Sequence, residues 1–428
     1  MFTTLSSKNI INSSIVLLLM FAYIFPLMYD FLSLMPYRSK WISDVIFLVM
    51  TIFLFTYKQS NILMLFRIRQ FRIFSIMILM LLISHYLSYF FNGSSTIMFV
   101  LEIRKYLYFF ILMVLLLLSA QTSYESKTEI LFSKIINIQI FIIPLQYIAF
   151  IAIDYSGILV DQVPYNYLDI ASGTFGAGKT GVVSVFLVLY YFYKQVYDKK
   201  IRNILILIPL VFTFSGGGNV LLLLAVISVV LYTDRKRAAS IFKYTVSIIA
   251  LLVLIQLIGN YVWKTDYIGK NVDYALKKVQ LILFEKNEMH GSDLSRLGGI
   301  KYLSRHTEYP IFGNGPGLFK SSRTLNIEAV SFQSLGDVRK SGFTSLFIDS
   351  GYFGLIVLFS YIGYIVIKCY LHSSQEIRRI SGVLLLFGIS TFYIPNLYND
   401  SIMYFIIFVL SQYIQHETLF SNRRLSNA

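Results

Sequence analysis

The chain has 428 residues, of which 56% are hydrophobic and 14% are charged, a composition that predicts a bundle of membrane-spanning helices. Its net charge of +15 is spread over many short segments and is not gathered on one basic face, which argues against nucleic-acid binding. The single cysteine, Cys369, can form no intrachain disulfide, and together with the five histidines it provides no metal-binding motif. We therefore expect neither a metal nor another cofactor.

Apolar runs long enough to cross a hydrocarbon core of about 30 Å recur along the chain. Because backbone in lipid must satisfy its own hydrogen bonds, each run is predicted to be a helix. We predict twelve: 12–34, 41–57, 73–91, 103–120, 135–154, 180–196, 202–217, 219–233, 244–260, 346–369, 380–395 and 400–415. The first follows Lys8 and lacks a small-residue cleavage site, so it is expected to remain as an anchor. The seventh and eighth are expected to meet in a tight glycine hairpin or a break at 215–219.

The expected fold is thus an all-α polytopic membrane protein with three parts: helices one to nine within 1–259, a large loop at 260–345, and helices ten to twelve within 346–428. Short basic segments flank one set of helix ends, such as 67–72, 194–202 and 235–243. The positive-inside bias then predicts cytoplasmic termini and an outward-facing loop. Loops above about 12–15 residues are usually functional or disordered. We interpret this one as folded, mostly helical and functional.

Gly173–Thr180 reads Gly-Thr-Phe-Gly-Ala-Gly-Lys-Thr and satisfies the phosphate-loop pattern. That pattern works where a buried strand precedes it and a soluble helix follows, whereas a membrane helix follows here. Nucleotide hydrolysis is therefore disfavoured. Two interpretations remain: an anion site made by backbone amides and Lys179, or a plain glycine-rich start to a helix.

The segment Leu101–Tyr106 opens the fourth predicted helix with Glu102, Arg104 and Lys105. Interfacial snorkelling of the basic side chains is one interpretation. The other is that Arg104 faces the bundle and binds a lipid-linked phosphate, since its guanidinium is a fixed fork of donors.

The end of the large loop carries the densest pattern. His290–Leu297 contains Asp293 and Arg296, and an amphipathic run with Lys301 and Arg305 follows. Pro310 ends that predicted helix, and glycine-rich turns occupy 313–317. A purely structural turn is the alternative interpretation.

Arg296 followed by a short helix and Pro310–Gly317 resembles the loop signature of the O-antigen polymerase/ligase family of bacterial inner-membrane proteins. Three other segments are similar in order: Ser172–Phe175, Phe214–Gly218 and Asp349–Leu355. Two positions depart from the family. Gly216 stands where many members have arginine, so no phosphate-binding role is carried over there. Ser341–Ser345 lacks the histidine that ligase members have before the next helix, which favours the polymerase branch.

The resemblance implies metal-independent glycosyl transfer on the outer face of the inner membrane, in a bundle like those of the GT-C glycosyltransferases. Donor and acceptor would both be undecaprenyl-diphosphate-linked glycans, joined into O-antigen, capsule or exopolysaccharide. Family members work beside a chain-length regulator and a flippase, which are the partners implied here.

This chemistry needs cations for the departing diphosphate and a base for the attacking hydroxyl. The cationic candidates, in order, are Arg296, Arg104, and then Arg305, Lys179 and Lys301. The candidates for the base are Asp293, Glu308, Asp349 and Asp169, among which the sequence does not choose. Asp349 lies at the mouth of the tenth helix, where a carboxylate is either functional or a helix cap. The rival functions are an O-antigen ligase and a transporter of lipid-linked sugar.

Overall fold

A computed structural model describes residues 2–26, 41–92, 96–120, 125–155, 173–175, 180–198, 201–213, 309–316, 341–392, 397 and 399–426. The regular structure within these ranges is helical, without a strand. Among the described residues, three helices are long and apolar enough to cross a membrane: Arg69–Asn92, Thr128–Gln146 and Gly342–Tyr370. The number is four if the pair Ile42–Tyr57 and Gln59–Leu65, which is bent by 91°, forms one span. The described chain therefore has the architecture of a helical membrane protein.

Eleven α-helices make up most of the described residues. They are α1 (Phe2–Tyr23), α2 (Trp41–Tyr57), α3 (Gln59–Leu65), α4 (Arg69–Asn92), α5 (Thr96–Ala120), α6 (Glu125–Tyr155), α7 (Thr180–Asp198), α8 (Ile208–Thr213), α9 (Gly342–Tyr370), α10 (Gln375–Thr391) and α11 (Asp400–Ser426). Two 3₁₀ turns, Gly173–Phe175 and Ile201–Leu207, precede α7 and α8.

Most predicted helices that fall on described residues are present, with shifted ends. The first begins about ten residues before its predicted start, since α1 covers Phe2–Tyr23. Its polar residues do not stop the helix, because Ser14 Oγ donates to the Ile10 carbonyl within the helix at 2.9 Å. The predicted seventh helix is a 3₁₀ turn followed by α8. The eighth and ninth, the joint at 215–219 and most of the large loop lie outside the described residues.

The helices alternate in direction, and several of their ends meet on one side of the bundle. Asn92 at the end of α4 donates to the Gly313 carbonyl at 2.9 Å, and Tyr89 bonds Thr96 at the start of α5 at 2.9 Å. Tyr23 at the end of α1 donates to the carbonyl of Ser401 in α11. We refer to this side as the loop end, because the described part of the large loop lies there. At the opposite end, Lys194 of α7 pairs with Glu129 of α6.

Helix α9 packs on α4 and α10 and is broken near its first third. Ser341 caps its start by accepting a hydrogen bond from the Thr344 amide at 3.1 Å. Gly351 then has φ +63° and ψ −161°, a conformation open to glycine alone. The break divides α9 into a short half (342–350) and a long half (352–370).

A segment of the large loop, Tyr309–Pro316, fills this break with backbone hydrogen bonds. Tyr352 and Phe353 donate their amides to the carbonyls of Pro310 and Ile311, both at 3.1 Å. The Asn314 amide donates to the Ile348 carbonyl at 2.7 Å. On the other side of α9, Ser84 Oγ donates to the Ser350 carbonyl at 3.0 Å. The backbone groups released by the break are thus satisfied by partners outside α9.

The backbone of the loop segment lies so close to the backbone of α9 at the break that both facing positions, Gly351 and Gly313, need glycine. A Cβ on Gly351 would lie 2.3 Å from the Ile311 carbonyl oxygen, and one on Gly313 would lie 2.6 Å from the Gly351 nitrogen. Both glycines also have positive φ, at +63° and +84°. Neither contact is relieved by rotating a side chain, because the opposing atoms belong to the backbone.

We expect Gly351→Ala to lower the free energy of unfolding by about 2–4 kcal/mol, since it combines backbone strain with a steric clash. The matched control is Gly363→Ala in the same helix, where an added Cβ meets nothing within 4 Å. Thermal unfolding of the two purified variants in detergent provides the comparison. Equal melting temperatures would contradict the broken-helix geometry.

Candidate functional site

Several polar side chains lie in the loop-end half of the bundle, and Asp349 is one of them. Asp349 is only 2% exposed and lies near the C-terminal end of the short half of α9. The helix dipole is negative at that end, so a buried carboxylate there costs free energy. Tyr106 of α5 lies within electrostatic range of both Asp349 and Glu102. We define the Asp349 cluster by its members, His85, Glu102, Lys105, Tyr106 and Asp349.

His85 connects α4 to this cluster. Its ring is fully buried, and its Nδ1 lies 2.9 Å from the Leu81 carbonyl, which can only accept a hydrogen bond. Nδ1 therefore carries a proton in that hydrogen bond. The Tyr106 hydroxyl forms a hydrogen bond with Nε2 of the same ring at 3.3 Å. His85 thus holds the phenol of Tyr106, which lies within electrostatic range of Asp349.

Glu102 and Lys105 add a charged pair on α5, one turn apart. Lys105 Nζ lies 3.1 Å from Glu102 Oε2, and Glu102 is only 4% exposed. The cluster therefore combines two carboxyl groups, an amine, a phenol and an imidazole. Carboxylates can take a proton and an ammonium can stabilise an anion, so these groups fit proton transfer next to a phosphorylated or hydroxylated ligand.

Arg104 contacts Asp44 of α2, whereas the functional interpretation has it bind a lipid-linked phosphate. Its Nη1 lies 2.5 Å from Asp44 Oδ2 of α2, and Tyr108 donates to the other oxygen of Asp44 at 2.6 Å. Tyr108 is also stacked on Phe47 of α2 at a ring distance of 3.9 Å. Arg104 therefore joins α2 to α5 at the loop end. Its guanidinium is about one-third exposed, so it still reaches the surface.

The described start of the phosphate-loop pattern has a structural role. The Gly173 amide donates to Gln146 Oε1 at 2.8 Å, and the Thr174 amide donates to Gln139 Oε1 at 3.0 Å. Both glutamines belong to α6. The ring of Phe175 is buried between Tyr23 and Phe186. These two amides donate to glutamine side chains and so are not directed at an anion. The geometry of 173–175 therefore supports the interpretation as a glycine-rich start of a helix.

Of the candidate residues chosen from the sequence, the structure describes Asp349 and Arg104. Asp349 is buried and lies inside the short half of α9, and Ser341 caps the start of that helix. The other candidates lie outside the described residues: Asp169, Lys179, Asp293, Arg296, Lys301, Arg305 and Glu308.

Four members of the cluster, His85, Glu102, Lys105 and Tyr106, were not chosen from the sequence. A signal for the first was present, because Ser84, His85 and Ser88 place polar groups on one side of an otherwise apolar helix. For Glu102, Lys105 and Tyr106 the segment 101–106 was singled out, but Arg104 was the residue favoured in it. Among the described residues, no group of three or more His, Cys, Asp or Glu side chains has the geometry of a metal site.

Comparison with known proteins gives no relative. No family model matches the chain, and no curated protein or solved structure matches it.

The ion pair of Arg104 with Asp44 is open to a charge-swap test. Arg104→Asp places two carboxyl groups together, and we expect a loss of about 0.5–1 kcal/mol in stability for this partly exposed pair. Adding Asp44→Arg restores opposite charges and should recover most of the loss. Thermal unfolding of the purified single and double variants measures both steps. A double variant no more stable than the single one would show that the pair does not join α2 to α5.

Proposed function

We propose that this protein is a polymerase that joins undecaprenyl-diphosphate-linked oligosaccharide repeat units into a surface polysaccharide. The reaction is a metal-independent glycosyl transfer, in which the acceptor hydroxyl attacks the donor sugar and the polyprenyl diphosphate departs. The sequence resemblance to O-antigen polymerases is the first support. The second is the geometry at the loop end, where a buried carboxylate lies next to the described segment of the large loop.

One observation carries the proposal: the large loop is held against the helix half that contains Asp349. The Asn314 amide binds the carbonyl of Ile348, the residue next to Asp349. Arg296 precedes Tyr309 by 13 residues. If those residues are helical, as the sequence predicts, they span about 20 Å, so Arg296 is not separated from the described segment by a long stretch of chain. The leading cationic candidate and a buried carboxylate can therefore belong to one site.

The roles follow from the charges. We assign Asp349 as the base that takes the proton of the acceptor hydroxyl, with Tyr106 and His85 as positioning residues beside it. Asp293 and Glu308 stay as alternative bases within the loop. Arg296 stabilises the charge that develops on the diphosphate, supported by Lys105 and by the loop cations Lys301 and Arg305. Lys179 and Arg104 stay as candidates for binding at the surface.

The proposal includes a topology of twelve spans in a bacterial inner membrane, with cytoplasmic termini and the loop 260–345 outside. The distribution of basic residues supports this orientation. The described helix ends opposite the loop end carry Lys58, Arg67, Arg69, Arg72, Lys194, Lys368, Arg378 and Arg379. The described loop end carries Arg104 and Lys105. This asymmetry is the one expected of a protein whose loop end faces outward.

Transport of a lipid-linked sugar is the second candidate, and the broken helix favours it specifically. Transporters commonly bind substrates at discontinuous helices and place buried ionisable residues there. Helix α9 has both features in Gly351 and Asp349. A ligase has the same donor as a polymerase but transfers finished chains, so its loss leaves long glycans on the lipid carrier.

We expect Asp349→Asn and Arg296→Ala to collapse the polysaccharide ladder of the native bacterium to a single repeat unit. Removal of a base or of a charge-stabilising group typically lowers the rate by about 10²–10⁴-fold. The ladder is read on a gel from a deletion strain complemented with each variant, with membrane levels of the protein measured in parallel. The matched controls are Asp400→Asn, an exposed carboxylate at the loop end, and Arg67→Ala, an exposed arginine at the opposite end.

Each alternative gives a different result in this experiment. Full-length glycans that accumulate on the lipid carrier would identify a ligase. Single lipid-linked units that stay on the cytoplasmic side would identify a transporter. A normal ladder in the deletion strain would contradict every glycan function considered for this chain.

A further inference from the structure

The chain changes direction sharply after α2, at the end of the bundle opposite the loop end. Helices α2 and α3 meet at Lys58 with a bend of 91° between them. Helix α2 packs along α1 and α5, so it runs with the bundle, and α3 runs across it. In a membrane, a short helix that crosses the end of a bundle lies in the plane of the lipid headgroups.

Helix α3 has one apolar face towards the bundle and another towards its surroundings. Ile62 and Leu65 are buried, whereas Leu63 and Met64 are 61% and 50% exposed. Exposed apolar side chains on a helix at the membrane surface gain free energy by entering the boundary between headgroups and acyl chains. The outer face of α3 is therefore suited to contact with lipid.

The first turn of α4 places two arginines next to the end of α3. The ring of Phe66, which follows α3, contacts the ring of Phe71 in α4 with the centroids 5.1 Å apart. Arg69 and Arg72 lie in the same turn of α4 as Phe71, and both are exposed, while Gln70 and Phe71 are buried. Because residues three apart are neighbours on a helix surface, the two guanidinium groups share one side of α4.

The charge of this part of the sequence is strongly positive. No aspartate or glutamate occurs between Asp44 and Glu102, a stretch that contains four basic residues: Lys58, Arg67, Arg69 and Arg72. Within the described ranges, neither Arg69 nor Arg72 forms an ion pair with a carboxylate. Like charges one helical turn apart repel each other. An anion bound from outside the chain would relieve this repulsion.

We propose that Arg69 and Arg72 bind the phosphate of an anionic phospholipid, whose acyl chains lie against Leu63 and Met64. A guanidinium suits a phosphate because its donors form a fixed planar fork. Basic residues immediately beside a membrane helix also attract anionic lipids electrostatically. An acidic protein would match the charge alone, whereas a phospholipid also matches the exposed apolar side chains. The site lies at the end of the bundle opposite Asp349, so lipid binding there does not depend on glycosyl transfer.

Native mass spectrometry of the full chain in detergent micelles tests this site. The probes are phosphatidylglycerol and phosphatidylcholine added in equal amounts, and the measured quantity is the ratio of the two lipids retained on the folded protein. We expect the wild-type protein to retain phosphatidylglycerol in preference by about tenfold. Equal retention of the two lipids would overturn the proposal and favour an acidic protein partner.

A matched pair of double variants makes the test specific to the two arginines. Arg69→Gln with Arg72→Gln removes two positive charges, and we expect it to abolish most of the tenfold preference. Lys368→Gln with Arg378→Gln removes the same charge from exposed positions at the same end of the bundle, and we expect a change of less than about twofold. Equal losses in both double variants would show a diffuse effect of charge and overturn the site.

If the arginine variant lowers the yield of folded protein, the wild-type protein provides a second measurement. Raising ammonium acetate from about 0.1 M to about 1 M shortens the Debye length from about 10 Å to about 3 Å. We expect the preference for phosphatidylglycerol to fall several-fold over this range, because both guanidinium groups are exposed. A preference that does not change with salt would contradict binding through the arginines.

A nitroxide spin label at position 63 tests the apolar part of the site. Leu63→Cys in a Cys369→Ser background carries the label, and Leu48→Cys, an equally exposed position within α2, is the reference. In nanodiscs of the same two lipids, we expect both labels to collide more often with oxygen than with a water-soluble nickel complex. A label at 63 that collides mainly with nickel, while the label at 48 does not, would contradict the lipid contact of α3.

Discussion

The organisation of the loop end depends on the backbone hydrogen bonds at the break in α9. A helix that is interrupted inside an apolar bundle releases amides and carbonyls that water does not reach, and each costs free energy if it stays unpaired. Here the loop segment 309–316 and the side chain of Ser84 provide the partners. The same contacts hold the large loop against the bundle and fix the short half of α9. The position of Asp349 is therefore a consequence of how the break is satisfied.

Polar and apolar side chains follow one another along the same helices, which explains how a buried polar site can exist in this apolar bundle. His85 is one turn from Leu81, and Asp349 is one turn from Leu346, so each helix changes from apolar to polar over a single turn. Buried polar groups are tolerated when they bind one another, as Tyr106 binds His85 and Lys105 binds Glu102. The result is a small polar region next to an apolar cavity.

The sequence was sufficient for the helical membrane class and for most helix positions within the described ranges, because long hydrophobic runs are local signals. The break in α9 was not predictable in the same way. Gly351 is open to several interpretations, and its conformation depends on Pro310 and Ile311, about forty residues earlier. The orientation of α5 could not be predicted from the sequence either. Arg104 and Lys105 are adjacent, and which of them pairs with a neighbouring helix depends on the position of Asp44 in α2.

Cysteine crosslinking between α4 and the loop segment tests this account most directly. Phe91 and Phe312 are stacked with their ring centres 4.8 Å apart, and Cys369 is the single native cysteine, so a Cys369→Ser background isolates the pair. We predict that a short bifunctional maleimide joins cysteines at 91 and 312 in native membranes, as readily as it joins a reference pair at 89 and 96. Efficient crosslinking of the reference pair without any at 91 and 312 would contradict the placement of the loop in the break of α9.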